Sequence, residues 1–131
     1  MSSELNILAL YGLFTCLVLV MQATGALSQL GMGYLLSARD EQRSATGIAA
    51  RLDRALANSV TAMALFAPAI LILALKDGFT GSTLTAARVF LVARVLYVPA
   101  YGAGISGLRS LFWAAGFAAT AALYVLALLA L

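Results

Sequence analysis

Residues 48–75 read IAARLDRALANSVTAMALFAPAILILAL. Apart from Arg51, Asp53 and Arg54 near its start, the stretch is apolar for longer than the roughly 20 residues a helix needs to cross a bilayer. Its polar residues keep helical spacing. At about 100° per residue, Arg51, Arg54, Asn58 and Thr61 fall within an arc of roughly 80°, with Asp53 on another face. The segment therefore reads as a spanning helix with a polar stripe at one end and an apolar run, 63–75, at the other.

Three further segments have the same character: 5–36, 84–101 and 110–131. The first outreaches a bilayer at about 1.5 Å per residue, so its end projects into water or tilts. The links are short. Residues 37–47 hold the polar run Arg39, Asp40, Glu41, Gln42 and Arg43, residues 76–81 carry a charge pair and two glycines, and 102–107 are glycine-rich. Short links make sequential neighbours antiparallel. The expectation is an all-α membrane protein, a single four-transmembrane up-down helix bundle.

Composition agrees. The chain of 131 residues is 63% hydrophobic and 10% charged, against about 25% charged in a typical soluble domain. A soluble fold of this size cannot hide that much apolar surface in one core. Net charge is +3 without a basic run, which excludes a nucleic-acid partner as the reading. With no His and Cys16 as the one cysteine, no metal site and no internal disulfide are expected. No Lys or Arg precedes the first apolar run, so it reads as a first span rather than a cleaved signal peptide. Arg39, Arg43, Arg51, Arg54 and Arg109 gather at links one and three, Lys76 and Arg88 at the other end. The positive-inside bias then makes links one and three cytoplasmic.

Polar groups inside a span are costly and usually face a bundle interior or a wet cavity. In the third segment Arg94, Tyr97 and Tyr101 share an arc of about 60°, with Pro99 on the opposite face. Arg94 lies mid-span and needs an internal partner. Two guanidinium groups and an amide on the second helix suit an anionic, hydrogen-bonding ligand. Structural alternatives stand beside these readings: Arg51 and Arg54 as headgroup anchors, Asn58 as an interhelical amide, Arg94 as a structural bridge, and Tyr97 and Tyr101 as belt aromatics. Gln22 and Gln29 read as packing residues, and Trp113 as an interfacial anchor. The glycines at 104 and 107 are not a phosphate loop, because no Lys-Ser/Thr follows.

The runs RLDRALAN at 51–58 with Phe66, FLVARVLYVPAY at 90–101 and GLRSLFW at 107–113 together resemble the membrane-associated proteins in eicosanoid and glutathione metabolism, the MAPEG family, in its short bacterial form. The resemblance covers about half of the chain. It implies a homotrimer in a bacterial inner membrane, with glutathione as co-substrate between protomers near the cytoplasmic end. Carried over residue by residue, Arg51, Arg54, Asn58, Thr61, Arg94, Tyr97 and Tyr101 would hold the peptide. Arg109 would be catalytic, stabilising the thiolate that attacks a lipophilic electrophile or reduces a lipid hydroperoxide. Family members often carry Glu three residues after the motif Asn, where it suits an ammonium group; here that residue is Thr61, which cannot make so strong a charge-assisted bond.

Two other functions compete. A non-catalytic protein of the same fold would hold a lipid or partner, a reading that Thr61 favours. A small four-helix exporter would need an acidic group inside a span, whereas Glu4, Asp40, Glu41, Asp53 and Asp77 all lie at ends or in links.

Overall fold

The computed structural model describes residues 3–31 and 46–130. They form four helices: α1 (Glu4–Leu30), α2 (Gly47–Leu75), α3 (Gly81–Gly102) and α4 (Ser106–Leu129). All four are long and apolar enough to cross a membrane. The described part of the first segment ends at Leu30, where Gly31 takes φ 85°. The rest of the expected span, 32–36, and most of the first link lie outside the described residues.

Paired residues give the topology. Gln29 bonds Thr46 through its amide nitrogen and oxygen at 3.0 and 2.7 Å, Gly25 faces Ala49, and Gly12 faces Met63. As α1 numbers fall, α2 numbers rise, so the two helices are antiparallel. Arg51 with Gly102, Arg54 with Tyr101 and Phe66 with Phe90 give the same sense for α2 and α3. The turn at 103–105 folds α4 back on α3. The result is an up-down bundle, as the hydropathy pattern predicts.

Helix α3 is the least apolar and the most enclosed: half of its most apolar stretch is buried, against 17% of that of α1. In lipid there is little hydrophobic drive between helices, so packing and internal hydrogen bonds select contacts. Phe90 stacks on Phe66 with centroids 3.9 Å apart and meets Tyr11 edge-on at 4.9 Å. Tyr11 donates its hydroxyl to the Ser59 carbonyl at 2.8 Å. This aromatic knot ties α1, α2 and α3 together at mid-bundle.

Both α3 and α4 start earlier than hydropathy predicts, at Gly81 and Ser106 rather than near 84 and 110. A cap sets the start of α3, and the tight turn at 103–105 sets that of α4, which has no side-chain cap. Thr80 and Thr83 form a reciprocal capping box, which satisfies two of the free N–H groups at a helix start. Glu4, 4% exposed, accepts a hydrogen bond from the Thr83 hydroxyl, so the first turn of α1 is fastened to the α3 cap.

At the end of α2, Asp77 takes φ 52°. The Gly78 N–H reaches the Leu73 carbonyl at 2.8 Å and the Asp77 N–H reaches Ala74 at 3.2 Å, a Schellman closure. Gly78 has no room for a side chain, because a Cβ there would lie 2.8 Å from that of Ala130.

Two outcomes follow from these contacts. Asp77→Gly removes a left-handed strain of about 1–2 kcal/mol but adds chain entropy, so unfolding in detergent should show a gain of about 0.5–1 kcal/mol. Glu4→Ala removes the bond that fastens α1 to the α3 cap, leaving the Thr83 hydroxyl to the Thr80 carbonyl, and should cost about 1–2 kcal/mol, whereas Glu4→Gln keeps an acceptor and most of the stability.

Candidate functional site

The site grows from the helix ends inward. The last four carbonyls of α3 have no intrahelical partner by construction. Three are taken by the turn: Ala103 N–H bonds Pro99 O, Gly104 N–H bonds Tyr101 O, and Ile105 N–H bonds Ala100 O, at 2.9–3.0 Å. The fourth, Gly102 O, accepts from Arg51 Nη1 at 3.1 Å. The Arg51 guanidinium lies against Gly104, whose φ of 77° and close approach both suit a residue without a side chain. A cation at a helix C-terminus also opposes the negative end of its dipole. Arg51 thus closes the α3–α4 turn. Of the expected ligand-binding residues, it alone has its guanidinium committed to backbone.

One turn along α2, Arg54 donates from Nε to the Tyr101 hydroxyl oxygen at 3.1 Å. That hydroxyl keeps its own proton to donate. Arg109, in the first turns of α4, sits 4.6 Å from the centroid of the same ring. Tyr101 therefore lies between two guanidinium groups, and Tyr97 packs 5.6 Å from it. Tyr97, Arg109, Ser110 and Trp113 line a pocket of about 180 Å³.

Deeper in the bundle lies Arg94, 2% exposed. Its guanidinium rests 4.2 Å from the Tyr97 centroid, and Nη2 makes a long 3.4 Å contact to Ser59 Oγ. Among the described residues its Nε has no hydrogen-bond partner, nor has Asn58 Oδ1. Both residues line a cavity of about 130 Å³ between α2, α3 and α4. Thr61 and Thr120 complete its polar wall, and Leu65, Phe90 and Phe117 give it an apolar side. The Thr61 hydroxyl donates to the Ala57 carbonyl at 3.1 Å, so it faces the cavity already engaged with its own helix. Trp113 borders both this cavity and the Arg109 pocket.

The structure thus gathers Asn58, Thr61 and Arg94 on the inner cavity and Tyr97 and Arg109 on the outer pocket, with Tyr101 and Arg54 beside it. Arg51 stands apart. Sequence reasoning missed Ser59, which hydropathy hides beside Asn58, and Gly116. A Cβ at Gly116 would sit 3.1 Å from Arg94 Cδ, so this glycine makes room for the arginine stem. Trp113, expected as an interfacial anchor, is exposed near the start of α4 and also borders both spaces.

Removing the Arg51 guanidinium leaves the Gly102 carbonyl unpaired. Arg51→Ala should therefore lower unfolding stability in detergent by about 1–2 kcal/mol. Gly104→Ala should cost a similar amount through left-handed strain.

A family model described as the MAPEG family matches residues 5–129, nearly the whole chain. No curated protein and no solved structure matches it. Four apolar spans and this match establish an integral, multi-pass membrane protein, and the chain belongs to the MAPEG family, whose members include glutathione transferases.

Proposed function

We propose that the protein is a membrane enzyme that uses glutathione or a related thiol against lipophilic electrophiles or lipid hydroperoxides. One observation carries the reading: Arg94 Nε and Asn58 Oδ1 are buried without partners among the described residues, beside a cavity that opens on the bundle surface. Unmade hydrogen bonds of this kind are costly, and a ligand with one acceptor and one donor would satisfy both. The site's residues fit an anionic thiol peptide. Arg94, Arg54 and Arg109 offer positive charge, and Tyr97 and Tyr101 add phenol groups.

The chemistry follows from charge. A free thiol has a pKa of about 8.5 and is mostly un-ionised near neutral pH. A guanidinium beside the sulfur favours the thiolate, and in this reading Arg109, on the outer pocket, supplies it. The thiolate forms a carbon–sulfur bond with an electrophilic carbon, and a leaving group departs or a proton is taken up. With a hydroperoxide the thiolate takes the terminal oxygen and the alcohol leaves. A second thiol then yields disulfide and water. The apolar wall of Leu65, Phe90 and Phe117 suits substrates drawn from lipid, and fixing both reactants lowers the entropic barrier.

In this reading the working form is a homotrimer in a bacterial inner membrane, with links one and three in the cytoplasm and the site near that face. Family membership and the basic residues at those links support it. A second reading, a non-catalytic protein holding a lipid or partner, draws on Thr61, whose hydroxyl is occupied within α2.

Protein purified in detergent should conjugate a chromogenic electrophile to glutathione. Arg109→Ala should slow the reaction about tenfold or more, with a much smaller change in thiol affinity, since a nearby cation shifts ionisation by about one unit or more. Thiol binding without turnover on any of several electrophiles and hydroperoxides would favour the second reading.

A further inference from the structure

The inner cavity holds a lopsided set of charges. Among its lining residues Arg94 is the only ionised group. The threonine hydroxyls have spent their protons on their own helix, Thr61 on Ala57 and Thr120 on Gly116. They can only accept, as neutral oxygens. Asn58 Oδ1 is a further neutral acceptor. The acids among the described residues stand elsewhere. Glu4 is fastened to Thr83 and Asp77 lies in the α2–α3 turn, both at the opposite end of the bundle. Asp53 is exposed, on a different face of α2 from the stripe.

An ammonium group entering this space would give up part of its water, meet a guanidinium of the same sign and find no carboxylate among the described residues. Neutral acceptors do not repay that loss, because charge-assisted bonds are about twice as strong as neutral ones and a desolvated charge is costly without a counter-ion. An amide fits instead. Its carbonyl can accept from Arg94 Nε, and its N–H can donate to Asn58 Oδ1.

Resting on the thiol reading above, we infer that the site takes an anionic thiol whose amine is acylated or absent, and gives no advantage to a free ammonium group. The co-substrate class is thus an N-acylated or desamino thiol carboxylate.

Calorimetry on the full chain in detergent, with glutathione and with N-acetylglutathione, tests this. The acetylated thiol should bind at least as tightly as the free amine. Thr61→Glu should turn the preference about tenfold toward the free amine, a change worth about 1.4 kcal/mol. The wild-type comparison stands without the variant. Binding of glutathione about tenfold tighter than its acetylated form overturns the inference and leaves the thiol reading intact. Failure of both thiols to bind overturns the two together.

Discussion

A guanidinium in the middle of a bilayer-crossing helix must be accommodated by the protein itself, because lipid offers neither hydrogen bonds nor counter-charge. Arg94 sets this demand, and much of the bundle answers it. Its helix is the most enclosed of the four. Gly116 yields the volume for its stem, Tyr97 presents a ring face to the charge, and Ser59 offers a distant hydroxyl. A cation over an aromatic face is worth about 2 kcal/mol when desolvated, less than the cost of leaving a charged donor unmatched. The arrangement stabilises the arginine without completing it, and that residual demand makes the cavity chemically receptive.

The same accounting governs the helix ends. At the α3 terminus the turn satisfies three carbonyls and Arg51 the fourth. The polar stripe on α2 therefore divides its labour. Its outermost residue builds the scaffold, the next holds Tyr101, and the inner amide faces the cavity. A residue that closes a turn and a residue that braces a tyrosine can be one helical turn apart and chemically identical, as Arg51 and Arg54 are.

This division explains what the sequence could and could not disclose. Four spans were legible because lipid demands long apolar runs. The shared face of Arg94, Tyr97 and Tyr101 was legible because helical periodicity places side chains regardless of partners. The role of Arg51 was not, since only the folded turn determines which carbonyl lacks a donor. The helix start at Gly81 escaped hydropathy because capping geometry sets it, although the Thr80–Thr83 spacing was a visible sign, and the start at Ser106 follows from the tight turn before it. Ser59 and Gly116 carry no periodic signal. They matter through their small size beside a large neighbour, a property of contact rather than of pattern. Trp113 was assigned by residue type to the membrane interface, and its place between two cavities depends on how α4 packs.

One remaining bond bears on how the chain is assembled. Lys76, just past α2, donates to the Ala127 carbonyl near the end of α4 at 2.7 Å, while Gly78 admits Ala130 alongside. Translation delivers the lysine some fifty residues before the acceptor it will hold. The groups that hold the carboxyl-terminal end of α4 are thus already in the chain when that end is made, and the bond closes a loop of some fifty residues onto the α2–α3 turn.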